Sequence, residues 1–541
     1  MAQQTIQPES KDVSNWFLWS TIVIAGALFY LRFGYQVGYS DQDEFFPLVL
    51  SWLDPALFTT DWFVQVQQES FSIRHIFAGL LAVLSYVFPL TWSLFLLHLA
   101  TWTVLVSALV RISYLLYRNE LVALSFVLVA LVLSSRMNPG GNDVVHALLV
   151  PSSVAWALGF WSIASLLHAQ TTRAGWMLAV AILIHPLAGL QLASLILVTV
   201  VMTRRPGWKS LLYPVALVAL PSILLFLDLG SSGTTPTINP DEGILQANIL
   251  TQIRAPHHYL IAFTSLKTWL AWGILALGGG IAWASFRIKL RSSPDLRFTM
   301  ALFAVSLAVV GGSVAVLALR PDSFLTRLQP LNVAVLVRMV ALLAISAWMV
   351  SFISRIGRVG SWLTKGNDRL SKPAFLALSC AFLILVVVWI KPWYDGSNQH
   401  LPHPGFQDQI DMETAEWIQS NTDLEAVFVI PPVVSGFQIA THRAQFVNFK
   451  AFPFNGDQAV AWIERLQQIA PVENLNPGGS ALLVRFQNAF LNLPSSHFYS
   501  LNDSEGVSYI VLPKPLNPSW SDEKAVMCSP EWCVFNLNDP S

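Results

Sequence analysis

The chain has 541 residues, 54% of them hydrophobic and only 12% charged, against roughly a quarter charged in an ordinary soluble domain. A mean hydropathy of +0.54, with 33 Phe and 21 Trp, excludes a protein that is soluble throughout and fits a polytopic α-helical membrane protein, since lipid leaves backbone groups no partners outside helices. The net charge of −1 gives no reason to expect nucleic acid as a partner.

From the N-terminus, about fifteen polar residues precede an apolar stretch at 16–33 that no small-residue cleavage pattern follows, so it reads as an uncleaved first span. Further stretches able to cross ~30 Å of hydrocarbon lie at 91–113, 147–167, 211–229, 267–286, 298–319, 331–354 and 374–393. Shorter ones lie at 75–88, 121–134, 175–185 and 187–202. Arg and Lys cluster in alternate loops, from Arg111 and Arg118 through Arg173, Arg204 and Arg205 to Arg355 and Lys372, and such loops are cytoplasmic. The first loop, 34–74, holds Asp41, Asp43, Glu44, Asp54, Asp61 and Glu69 against Arg74 alone, so it is expected outside, as are 135–146, 230–266 and 320–330. An inside start and an outside end need an odd number of crossings. The stretch at 75–88, which ends at Pro89, is the one expected not to cross, leaving about eleven transmembrane helices.

Beyond this membrane domain, 1–394, charge and turn residues rise and no further span appears. Residues 395–541 read as an external α/β domain, with helices at 414–421, 457–470 and 480–493 and strands at 426–430, 445–449, 508–512 and 533–537. Cys528 and Cys533 enclose Ser-Pro-Glu-Trp, a turn that an oxidising exterior allows a disulfide to close.

The stretch Tyr39-Ser40-Asp41-Gln42-Asp43-Glu44-Phe45-Phe46-Pro47 places acids just after the first span. The apolar run from Phe45 to Leu53 suits a short interfacial helix that holds them at the membrane surface. A carboxylate there is suited to act as general base toward a hydroxyl, or to hold a divalent cation (Mg or Mn) through Asp41 and Asp43. The alternative is a solvated helix cap. An acidic pair in this place, in a many-span chain with an external α/β tail, resembles the GT-C superfamily of integral-membrane glycosyltransferases. The resemblance implies a lipid-phosphate-linked sugar donor and a catalytic acid in the loop, here Asp43 or Glu44 with Asp41 beside it. The tail, through Thr414 to Ile418, Pro431-Pro432, Arg443 and Phe449-Lys450-Ala451-Phe452-Pro453, is similar to the tail of uncharacterised bacterial multi-span proteins.

Other candidates lie on the same expected side. Of His257 and His258, one is expected to join the acids or shuttle a proton, unless both only cap a turn. Arg254, Arg327 and Arg338 are candidates to hold the donor phosphate. Arg338 lies ~12 Å inside its span, at a depth where an Arg needs a cavity or a partner, such as Asp228 or Asp143. Asp143 is a second acid for the cavity or a helix N-cap. His185-Pro186 marks either broken half-helices or a tight turn.

The favoured reading is an integral-membrane glycosyltransferase of a bacterial inner membrane. It moves a sugar from a polyprenyl-phosphate-linked donor to a glycan, lipid or protein acceptor on the outer face, with membrane lipids around it and no nucleic acid. The alternatives are a transporter or flippase, or a non-catalytic membrane assembly protein.

Overall fold

The computed structural model describes residues 12–69, 74–133, 138–231, 249–286, 288, 292–320, 326, 328–355, 370–390, 410–454 and 456–539. Helix α1, Asn15–Phe33, starts where the Ser14 hydroxyl accepts from the Phe17 amide at 3.4 Å. It leads into a 3-10 turn, Ser40–Glu44, and then α2, Phe46–Leu53, α3, Trp62–Glu69, and α4, His75–Ser85. The membrane body continues with α5, Leu90–Tyr117, α6, Glu120–Val127, α7, Pro151–Leu167, α8, Thr171–Ile184, α9, Pro186–Met202, and α10, Trp208–Ser231. After the short α11, Pro256–Tyr259, come α12, Leu266–Ser285, α13, Pro294–Leu319, α14, Ala334–Ile353, and α15, Lys372–Ile384.

Over its described residues each of the twelve apolar stretches falls on a helix, and among the described residues five helices are long and apolar enough to span: α1, α5, α12, α13 and the segment Pro330–Ile353 that contains α14. Helix α14 is central, with every residue from 334 to 344 buried. By contrast, α12 turns Leu270, Ile274 and Ile281 outward, as expected of a face against lipid, whose tails are as apolar as those side chains. Helix α4 has 11 residues, which at 1.5 Å each gives ~16 Å and falls short of the hydrocarbon layer.

At His185-Pro186 the chain makes a tight turn. A Cβ on Gly189 would fall 2.4 Å from the Ile182 backbone nitrogen, whereas seven residues of continuous helix would separate the two by ~10 Å. The His185 Nδ1 accepts from the Ala188 amide at 3.2 Å and so caps α9.

The tail is an α/β unit around a five-stranded sheet of order β2-β1-β3-β5-β4. Strand β1, Val427–Val429, runs parallel to β2, Ala444–Gln445, and to β3, Tyr509–Pro513, while β5, Trp532–Asn536, is antiparallel to β3 and to β4, Met527–Cys528. Three of the four expected strands are present; of the fourth, 445–449, only Gln445 lies in a strand, β2. The helices are α16, Met412–Asn421, α17, Phe437–Thr441, α18, Gly456–Ile469, α19, Ser480–Asn492, and α20, Ser495–Glu505. Trp462, Leu466 and Phe486 pack together, and Ile249 and Ile253 from the segment ahead of α11 join the same core. The Gly479 amide donates to the Ile253 carbonyl at 2.7 Å. At Gly478 a Cβ would lie 2.0 Å from the Gln252 carbonyl oxygen, so that approach requires glycine.

Cys528 and Cys533 are opposite each other in the β4–β5 pair and joined by a disulfide. Both are expected to resist maleimide until a reductant is added. Labelling of both without reductant, read by intact mass, would remove the bridge.

Candidate functional site

The first loop is anchored before its acids are reached. The Gln36 amide donates to the Ala147 carbonyl at 2.9 Å. Gln42 accepts from the Gly38 amide at 2.7 Å and donates to the Leu149 carbonyl at 3.1 Å. This fixes the 3-10 turn, and the three acids of the turn then point into different surroundings.

Asp43 is buried in the tail. One carboxylate oxygen accepts from the Gly436 amide at 2.9 Å and the other from Asn448 Nδ2 at 3.3 Å. Burial raises its pKa to about 7, against the pull of these donors, of the Ser435 hydroxyl and of the Lys450 charge. Asp61 makes a second latch, accepting from the Gln445 amide at 2.9 Å and from Gln438 Nε2 at 2.6 Å. Glu44 is caged between two guanidiniums, paired with Arg74 and, at 3.2 Å, with Arg254. These two cations oppose the upward push of burial on its carboxyl.

Asp41 differs from both. Its side chain is 55% accessible, and its ion pair is a loose one with Lys450 Nζ at 3.8 Å. Burial among protein groups opposes ionisation, but Lys450, Arg254, His258 and Arg74 outweigh it and hold the carboxyl at about 2. Asp41 is thus an open, ionised carboxylate that faces Lys450 and feels the charges of Arg254 and Arg74.

The wall beside it comes from α11 and the loop 138–143. His258 Nδ1 lies 2.6 Å from the Gly140 carbonyl. A carbonyl only accepts, so Nδ1 carries the proton and Nε2 keeps its lone pair. The His257 ring lies against it, tilted by 43°, with centroids 4.0 Å apart. Burial lowers both imidazoles, His257 to about 3, so the pair is neutral near pH 7. Gly141, with φ at +71°, has room for no Cβ because His257 Cδ2 would stand 2.9 Å away. Arg254 also donates to the Lys450 carbonyl at 2.8 Å, tying α11's leading segment to the tail residue that faces Asp41.

Arg338 and Asp143 meet each other in a buried ion pair, so the partner that the depth of this Arg requires is Asp143. Arg327 and Asp228 lie outside the residues whose side chains are described. Among the described residues no three His, Cys, Asp or Glu side chains gather as a cation site. Both Asp43 oxygens are occupied by donors, and the cations around Asp41 would repel a metal ion. This donor set fits an anion.

Lys450 and Arg74 were not singled out from sequence as site residues. Arg74 did carry a signal, as the one base in a loop of six acids. Lys450 gave none beyond its place in the Phe449–Pro453 stretch.

The state of Asp43 makes the docking of the tail pH dependent. Its carboxyl holds a proton up to about pH 7 in the folded chain but only to ~3.9 when unfolded. Its contribution is therefore complete below pH ~4 and is lost as pH rises through 7. Thermal midpoints measured from pH 5 to 8 are expected to fall more steeply for the wild type than for Asp43→Asn. Parallel curves would show that Asp43 does not titrate in this range.

Residues 411–469 match the model of a domain of unknown function, DUF6798. This is the part of the tail that contains Gly436, Asn448 and Lys450. No curated protein matches the chain. Among solved structures, that of ArnT from Cupriavidus metallidurans in the apo state is similar at 14% identity, over 96% of this chain and 97% of its own, with a TM-score of 0.45.

Proposed function

We propose that this chain is an integral-membrane glycosyltransferase that moves a sugar from a polyprenyl-phosphate-linked donor to an acceptor hydroxyl on the outer face, and that Asp41 is its catalytic base. The reading rests on one observation: an accessible carboxylate faces Lys450 at 3.8 Å and lies in the positive field of Arg254 and Arg74, near two neutral imidazoles. Sugar transfer from a phosphate needs both halves of that arrangement. The acceptor oxygen bonds to the anomeric carbon, and its proton passes to Asp41. The bond from that carbon to the phosphate oxygen breaks, and its electron pair remains on the phosphate, where the cations stabilise the developing charge.

In the absence of donor the same cations make Asp41 a weak base. Binding of a phosphate neutralises part of their charge and raises the proton affinity of Asp41 once substrate is in place. The neighbouring Asp43 and Glu44 hold the site together, Asp43 through the tail and Glu44 by keeping Arg74 and Arg254 oriented. A transporter would need the polar path to continue inward. Beyond the Arg338–Asp143 pair, the buried residues Met339 to Ala344 of α14 are apolar, which favours the enzyme.

The test uses the full chain in lipid nanodiscs with a panel of polyprenyl-phosphate-linked pentoses and hexoses, reading release of polyprenyl phosphate. At least one donor is expected to be consumed. A folded protein that neither consumes nor binds any of them would overturn the assignment.

A further inference from the structure

A second cluster of cations lies at the opposite end of α1. Asp12 precedes this helix and Asp41 follows it, and its 19 residues separate the two by ~28 Å. There, Asp12, Arg111, Trp161, Ser165, His168 and Arg173 line a cavity of about 100 Å³, room for several waters. Arg111 and Arg173 both stand over the Trp161 ring, at 5.5 and 5.4 Å from its centroid, so one indole helps to hold two guanidiniums that line the same cavity. Among the described residues, the anion that lines the cavity is Asp12. Its carboxylate is 3.8 Å from Arg111 Nη1 and 3.6 Å from His168 Nε2, both longer than a hydrogen bond, and it is 65% accessible. Asp12 thus occupies the cavity without filling it. Among the described residues, two arginines line the cavity against one carboxylate, a positive surplus suited to a further anion.

We propose that this cavity binds the phosphate of an anionic lipid headgroup, in exchange for Asp12. Phosphate suits paired guanidiniums, which present parallel donors to its oxygens. The position suits a lipid, because α8 starts beside the cavity and turns the indole of Trp176 outward, 44% exposed, as residues at a membrane interface do. Basic pockets between membrane helices hold lipid headgroups by this chemistry. If Arg111 and His168 only complemented the C-terminal end of α7, Asp12 would be irrelevant to any ligand, and that difference is measurable.

The test titrates full-length protein in neutral detergent with dioleoylphosphatidic acid, dioleoylphosphatidylglycerol, dioleoylphosphatidylcholine or inorganic phosphate, reading lipid occupancy by native mass spectrometry and the thermal midpoint. Both anionic lipids are expected to bind at least tenfold more tightly than phosphatidylcholine. The double change Arg111→Gln, Arg173→Gln should abolish that preference, and Asp12→Asn should bind several-fold more tightly than wild type. Equal binding of anionic and zwitterionic lipid would overturn the proposal, as would unchanged affinity in Asp12→Asn, which disturbs no packed side chain. Stabilisation by inorganic phosphate with none from the anionic lipids would assign the cavity to a free anion and overturn the lipid.

Discussion

Asp41→Asn is expected to lower sugar transfer by about 10²- to 10⁴-fold, the range a positioned general base contributes, with donor binding retained. The fold should be unaffected. The Asp41 side chain is more than half accessible and its ion pair with Lys450 is loose, so the thermal midpoint should be close to that of wild type. Lys450→Gln acts on the other half of the site and should raise the donor KM more than it lowers kcat. The two changes separate base from clamp in one assay. Undiminished release of polyprenyl phosphate by a folded Asp41→Asn protein would remove Asp41 from the chemistry, and an unchanged KM in Lys450→Gln would remove the clamp.

Glu44→Ala is expected to act through stability. The carboxylate lies between Arg74 and Arg254, and its loss leaves two buried guanidiniums facing each other without the charge that holds them. Removing one partner of a buried ion pair costs about 3–5 kcal/mol. Since Arg254 also bonds the Lys450 carbonyl, the tail should become susceptible to limited proteolysis before the membrane helices melt. The combined change Glu44→Leu, Arg254→Met should recover part of the loss, because it removes one of the two guanidiniums that Glu44 held, while Arg74 keeps its charge. Independent, additive losses in that cycle would show that the two side chains are not coupled.

Much of the architecture can be read from hydrophobic patterning, because patterning is local. Over its described residues each apolar stretch became a helix, and the tail strands appeared at Val427, Tyr509 and Trp532. The roles of the three loop acids were not readable in the same way. Asp41, Asp43 and Glu44 are near neighbours with the same chemistry, and they differ in what approaches them from far along the chain. Gly436, which occupies Asp43, is 393 residues away, and Arg254, which occupies Glu44, is 210 away. Burial depends on that return, and no local pattern encodes it. Arg338 shows the reverse case: its depth in an apolar helix demanded a partner, and Asp143, one of the two carboxylates considered, is in contact with it. The helix α17, Phe437–Thr441, was not anticipated because its five residues are too few to establish a period.

The separation between Asp43 and Gly436 also governs biogenesis. A ribosome must make just over four-fifths of the polypeptide before the first loop meets the groups that enclose it. Until then, newly inserted helices carry Asp43 and Asp61 uncovered, as hydrated charges awaiting Gly436, Gln438 and Gln445. A nascent chain stalled short of that point would be inserted in the bilayer yet inert, and competence should arise late and abruptly, when the distal segment folds back onto the loop.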